Sequence, residues 1–205
     1  EARREEILDA AQRVLGRKGY QATSMEEVSK EAEFSKGTLY SYFDSKFALF
    51  AELSNRVLSL VLAGFARVSA EELEGRDMVG QLLRVWSEAA SANIRQFRLA
   101  VSWIASDERA ECGGSGVVCH QERVGMIIGY LASAIGRGKA DGSIRREGEP
   151  HMIACQLWSG MMGALLFSSR SRDLAEDFPL PVQPDNFVEN FVDLLVAGLG
   201  AGEKQ

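Results

Sequence analysis

The stretch Thr23-Ser24-Met25-Glu26-Glu27-Val28-Ser29-Lys30-Glu31-Ala32-Glu33-Phe34-Ser35-Lys36-Gly37-Thr38-Leu39-Tyr40-Ser41-Tyr42-Phe43-Asp44-Ser45-Lys46 decides how the whole chain is read. Ser24 followed three residues later by Glu27 makes a capping box, in which hydroxyl and carboxylate each satisfy an orphan backbone donor. A short helix starts there, with Met25, Val28 and Ala32 on its inner face, and ends near Glu33-Phe34. Ser35 can cap again, which predicts a further helix over residues 36–43. On that helix Leu39 and Phe43 are an i, i+4 pair facing inward, so Gly37 and Ser41 stand nearly opposite, flanked by Thr38 and Tyr40. Two short helices joined by a tight turn match a helix-turn-helix, whose second helix enters the major groove of DNA.

The outer face of the second helix suits that task. Hydroxyls and tyrosines are good partners for phosphates and base edges, and Lys36 adds positive charge at the leading end. Gly37 costs about 1 kcal/mol of helix propensity relative to alanine, so something other than helix stability favours it. Close approach to DNA is one explanation, and packing against a neighbouring helix is the other. Lys46 in a first helical turn opposes the macrodipole unless an anion such as phosphate lies beside it; alone, it reads as a solvated surface lysine.

Working outward, Ile7, Leu8, Ala11, Val14 and Leu15 form one face of a first helix over residues 2–18, closed by Gly19 at a left-handed C-cap position. A longer fourth helix opens at Asp44 or Ser45 and links two domains, expected at 1–46 and 47–205. Further helices are expected at residues 76–92, 93–108, 117–136, 150–169 and 185–199, separated by glycine-rich breaks at 112–116 and 136–142. With four prolines and no alternating run of β-branched residues, the fold class is all-α, of about nine helices.

The 205 residues are 46% hydrophobic and 25% charged, as in an ordinary globular protein. The net charge of −6 confines any DNA contact to a local patch; an acidic bulk either repels phosphate elsewhere or simply confers solubility.

Residues 23–46 resemble the DNA-binding domain of the TetR family of bacterial regulators, and the resemblance is close over about the first 50 residues. It implies an N-terminal three-helix DNA-binding domain followed by a helical domain for ligand binding and dimerisation. It also implies that Lys36, Gly37 and Thr38 approach base edges, with Ser41 on the same face, while Thr23, Ser24, Tyr40, Tyr42 and Lys46 hold phosphates. The partners implied are double-stranded palindromic operator DNA, a small-molecule effector and a second copy of the chain. One departure stands out: the family usually has glycine in the turn where this chain has Glu33, and that turn often requires positive φ.

In the second domain Phe65, Trp86, Phe97, Trp103, Met126, Trp158 and Met162 offer large apolar surface of the kind that lines ligand pockets, although such residues at helical spacing also serve as plain core. The helix at 150–169 is apolar almost all round, and its small residues Ala154, Gly160 and Gly163 allow close approach of another helix. Phe187, Phe191, Leu194 and Leu195 lie on one stripe of the last helix. The two read as dimerisation helices of an isologous homodimer, or as core helices of a monomer.

No enzyme signature is present: nucleophile elbow, zinc-protease helix and phosphate loop are all missing, and two histidines leave little acid-base machinery. No cofactor or metal is expected; Cys112, Cys119 and His120 supply too few ligands. Cys112, Cys119 and Cys155 form no Cys-x-x-Cys pair, which suits a reducing cytoplasm. The apolar stretch at 151–167 reads as short for a membrane span, so no membrane role is expected. The expected function is a DNA-binding repressor released by a small molecule; the rival is an all-helical ligand-binding or dimerisation module that never touches DNA.

Overall fold

The computed structural model describes residues 2–94, 96–98, 115–177 and 186–200. Among them it has eight α-helices: α1 (Ala2–Ala22), α2 (Met25–Glu31), α3 (Lys36–Tyr42), α4 (Lys46–Ser69), α5 (Gly75–Ala92), α6 (Ser115–Asp141), α7 (Pro150–Asp177) and α8 (Phe187–Gly200). There is no strand among the described residues. The helix expected at 93–108, including Trp103, falls mostly outside them.

The chain forms two compact units. The first comprises Glu1–Leu58 with the described part of Arg95–Arg123, and the second comprises Ser59–Ile94 with Val124–Gly200. The sequence puts a domain boundary between residues 46 and 47, whereas these units divide inside α4. The reason is packing: Leu49, Phe50 and Leu53 from the start of α4 are buried in one cluster with Ile7, Leu8, Ala11, Val14, Met25, Val28, Leu39 and Phe43. Removing that apolar surface from water ties the first turns of α4 to the three preceding helices.

Ion pairs tie the rim of the first unit together. Arg4 meets Glu52 at 2.8 Å, Arg56 meets Asp9 at 2.9 Å and also Glu5, and Glu31 of α2 receives both Arg13 and Arg17 from α1. The α1 helix kinks at Gly19, whose φ is positive at 75° as a glycine allows, but its ψ of 173° is not that of a left-handed C-cap, and helix resumes as far as Ala22 instead of closing at residue 18.

In the second unit Phe65, Val79, Leu82, Leu83, Trp86, Ile127, Leu131, Ile135, Met161 and Val192 are buried. Trp86 stacks on Trp158, ring centroids 4.3 Å apart. The break expected at 136–142 is helix as far as Asp141. Gly138 serves packing instead: a Cβ on Gly75 would stand 2.0 Å from the Gly138 amide nitrogen, so the start of α5 lies directly against the α6 backbone. The Gly75 amide donates to Asp141 Oδ2 at 2.8 Å, and the turn is delayed to Gly142, with φ of 80°.

Two stretches, Lys46–Ser69 and Pro150–Ser169, are long and apolar enough to cross a membrane, with mean hydropathies of 1.4 and 1.3. That corrects the view of residues 151–167 as too short, because the helix extends beyond them. The first stretch is 56% buried and the second 33%, and among the described residues Met152 is the one large apolar side chain of α7 that is exposed.

Candidate nucleic-acid interface

The site is built on two N-caps and one tight turn. Ser24 Oγ accepts the Glu27 amide at 3.2 Å while Glu27 Oε2 accepts the Ser24 amide at 3.0 Å, which completes the expected capping box. At the end of α2 the Phe34 amide donates to Ser29 O at 3.0 Å and the Glu33 amide to Lys30 O at 3.2 Å. That pair of bonds is a Schellman motif, and it holds Glu33 at φ 57°, the one positive φ outside glycine among the described residues. Glu33 therefore takes the positive φ that this turn often requires, a conformation disfavoured for any residue but glycine.

Ser35 then caps α3, its Oγ accepting the Thr38 amide at 3.0 Å and lying 2.8 Å from Thr38 Oγ1. Leu39 and Phe43 are buried, as their i, i+4 spacing requires, so α3 can turn only its other side outward. Lys36, Gly37, Tyr40, Ser41 and Tyr42 are exposed, Tyr40 by 42%. The hydroxyls of Tyr40 and Tyr42 are on side chains open to a partner, as a phosphate contact requires. A Cβ on Gly37 would meet nothing nearer than Ser35 Oγ at 3.8 Å. Of the two explanations for this glycine, packing against a neighbouring helix is thus removed. Ser41 Oγ donates back to Thr38 O at 2.7 Å, which keeps that hydroxyl against the helix.

The residues implied as phosphate ligands differ in what they offer. Ser24 is exposed at the start of α2. Lys46 stands over the Tyr20 ring, 4.2 Å from its centroid, with its Nζ 3.4 Å from Gln21 O. Thr23 is a correction: it is 2% exposed, its hydroxyl donating to Gly19 O at 2.7 Å and its amide to Tyr20 O at 3.2 Å. It closes the turn between α1 and α2 and has no surface for a phosphate. Tyr20 is not among the residues the resemblance implies; its contact with Lys46 joins positions far apart in the sequence and has no local signal.

Acidic groups beside this face are partly neutralised. The ammonium of Lys30, 2.8 Å away, holds the Glu26 carboxyl below its ordinary range, and the field of Lys36 adds to the effect. Glu27 is likewise held down, first by Lys18 and then by the Ser24 amide.

The other expected residues lie as follows. Phe65 and Trp86 are buried in the second unit and Phe97 is buried in the first. Trp158 and Met162 are half-buried. Met126 is 54% exposed, on the side of α6 turned away from Ile127 and Leu131, so in the single chain it does not line an interior pocket. A cavity of about 310 Å³ in the second unit is lined by Arg84, Ser87, Glu88, Ser91, Ser168 and neighbouring residues of α8, none of them in the expected set.

Of the expected dimerisation residues, Ala154 is fully buried within the chain, and the place of a Cβ on Gly160 is 3.4 Å from the Phe191 ring of the same chain. Both serve internal packing. Phe187 lies between Phe167, tilted by 47° with centroids 4.9 Å apart, and Phe191, parallel with centroids 6.4 Å apart, and Leu195 is half-buried. Gly163 is exposed with open space above it, and Leu194 is 65% exposed. The outward stripe of α7 is Met152, Cys155, Ser159 and Gly163. These positions recur at spacings of three and four and so share one face, whereas Ala154 and Gly160 fall on other faces of the helix.

Among the described residues no group of three or more His, Cys, Asp or Glu side chains could hold a metal ion.

Residues 7–53 match the family described as bacterial regulatory proteins, tetR family. The chain is 41% identical over 146 residues to the uncharacterized HTH-type transcriptional regulator YhgD of Bacillus subtilis, covering 70% of this chain and 72% of that protein. Three other curated relatives are 43%, 37% and 43% identical, but the matched stretches span only 17%, 32% and 25% of their own lengths. Among solved structures, a tetR-family regulatory protein from Rhodococcus RHA1 shares the fold with a TM-score of 0.72 at 17% identity, covering 99% of this chain and all of that one. AibR, solved with isovaleryl coenzyme A and operator DNA, shares it with a TM-score of 0.65 at 19% identity, covering 98% of this chain and 100% of AibR.

Proposed function

The chain belongs to the TetR family of bacterial regulatory proteins, and from that premise we propose that it is a cytoplasmic homodimeric repressor that holds palindromic operator DNA and releases it when a small molecule binds. The observation that carries the reading is the outward face of α3. Lys36, Gly37 and Tyr40 are turned to solvent on a helix whose other side, Leu39 and Phe43, is locked in the core. Lys36, Gly37 and Thr38 approach base edges, and Ser24, Tyr40, Tyr42 and Lys46 hold phosphates.

A dimer is supported by Met152 and Gly163, exposed on α7, and by Leu194, exposed on α8. In the DNA-bound state the two copies of α3 sit about 34 to 36 Å apart, one helical turn of the duplex. The effector favours a second state without that spacing, and it shifts the balance only through its differential affinity for the two. Because α4 is one continuous helix from Lys46 to Ser69, beginning beside α3, it is the element through which the change travels. That AibR was solved with both an acyl-coenzyme A and operator DNA supports effector control on this fold.

The test is selection of bound fragments from random duplex DNA, followed by gel-shift titration at several salt concentrations. A palindromic site is expected, with affinity that falls steeply with salt and is lost in Lys36→Ala and Tyr40→Ala. Failure to enrich any duplex, or binding indifferent to both substitutions, would overturn the reading. For the effector half, a thermal-shift hit that left DNA affinity unchanged would defeat release by ligand.

A further inference from the structure

We propose that Tyr20 is a positioning residue for DNA binding, its ring fixing the ammonium of Lys46 before the duplex arrives; the inference rests on the DNA-binding reading above. Lys46 lies in the first turn of α4, where a cation opposes the helix dipole, and a lysine stem is among the side chains with most rotamer freedom to lose. A phosphate contact from an untethered lysine at this position would be weakened by both effects.

The structure removes the second. Lys46 Nζ stands 4.2 Å from the centroid of the Tyr20 ring, well inside cation–π range. The ring is itself braced by Phe50 of the core, the two packed edge to face with centroids 5.0 Å apart and planes at 71°. Its backbone is braced too. Gly19, at φ 75°, breaks α1 just before Tyr20, and Thr23 closes the turn with its hydroxyl on Gly19 O at 2.7 Å and its amide on Tyr20 O at 3.2 Å. The turn that aims the ring leads directly into Ser24, at the cap of α2, so Lys46 is held on the side of the unit where α2 begins.

Four named parts thus converge on one ammonium: the Gly19 kink, the Thr23 clasp, the Phe50 brace and the Tyr20 ring. An ammonium held against a ring face still presents its opposite side to a phosphate, so the ring orders Lys46 without replacing the anion.

The experiment is gel-shift titration of a duplex recovered from a random library by the wild-type protein, with Tyr20→Phe, Tyr20→Leu, Lys46→Ala and the Tyr20→Leu/Lys46→Ala double variant. Tyr20→Phe keeps the ring and is expected to bind like the wild type. Tyr20→Leu is expected to bind about two- to fivefold more weakly per half-site, the range of an exposed cation–π contact. In the Lys46→Ala background Tyr20→Leu is expected to cost nothing more, a coupling that a purely structural role would not produce. Independent, multiplicative losses, or a Tyr20→Phe protein as weak as Tyr20→Leu, would overturn the proposal. Recovery of no duplex by the wild type would instead remove the DNA-binding reading beneath it. Should Tyr20→Leu fail to fold, the wild-type protein gives its own test by NMR. The Lys46 ε-methylene protons are expected well upfield of the other lysines from the ring current, and an unshifted signal would sink the idea.

Discussion

The amide of Phe34 donates to the carbonyl of Ser29 at 3.0 Å, and together with the bond from Glu33 to Lys30 it holds Glu33 in a left-handed conformation. The turn that sets α3 against α2 is thus closed with a glutamate where a side chain is disfavoured. The partly buried Phe34 packs on the core just beyond it, so the turn cannot relax by letting go.

Glu33→Gly is therefore expected to keep the fold and to stabilise it by about 0.5 to 1 kcal/mol, the relief of the left-handed residue less the entropy that glycine adds to the unfolded chain. Urea melts check the sign. Because the substitution also removes an anion from the turn leading into α3, affinity for DNA is not expected to fall in a gel-shift titration.

Gly37→Ala separates stability from function. The added methyl has open space and improves a helical position, so the melting midpoint should rise by an amount equivalent to about 0.5 kcal/mol. The same methyl intrudes on the groove, and DNA binding is expected to weaken about tenfold. A variant that is more stable and binds as well as before would mean that Gly37 does not approach the duplex.

Gly75→Ala is expected to destabilise the second unit by about 3 kcal/mol, since its Cβ would stand 2.0 Å from the Gly138 nitrogen and 2.6 Å from Ala134 O, backbone atoms that cannot step aside. Gly136→Ala, with nothing within 4 Å, serves as the control and should gain about 0.5 kcal/mol. Thermal melts followed by circular dichroism compare the two.

Glu31 gives the first unit a dependence on acid. Arg17, and after it Arg13, hold its carboxyl at about 2, below the ordinary 4.5. A lowered carboxylate contributes stability that is present above its unfolded value and is lost as pH falls through the folded one. The midpoint of unfolding should therefore decline between pH 4.5 and 2, and Glu31→Gln should flatten that decline. As the pairs lie at the surface, with the arginine side chains more than half exposed, raised salt should reduce the difference. A Glu31→Gln profile that parallels the wild type would show that the pairs contribute nothing.

Leu194→Asp tests the dimer. At 65% exposure the side chain contributes little inside the chain, so helicity should be unchanged, while light scattering after gel filtration should report the mass of one chain rather than two. A dimer that survives the charge would exclude this stretch of α8 from the interface.

What the sequence by itself determined is what its local chemistry could determine. The Ser24–Glu27 box, the Ser35 cap and the Leu39–Phe43 pair each act within four residues, so the helix-turn-helix and its outward face were legible along with the chain's family. Even the strain at Glu33 was visible, as a departure from glycine. Only the tertiary structure decided the rest. On α7, apolar almost all round, periodicity does not distinguish the buried Ala154 from the exposed Cys155. The glycines of 136–142 looked like a break until α5 was seen packed on the helix backbone at Gly138. Tyr20 and Lys46 meet only because α1 and α4 share a core. Caps and turns are short-range and can be read along the chain; the choice between two apolar faces is made by whatever packs against them.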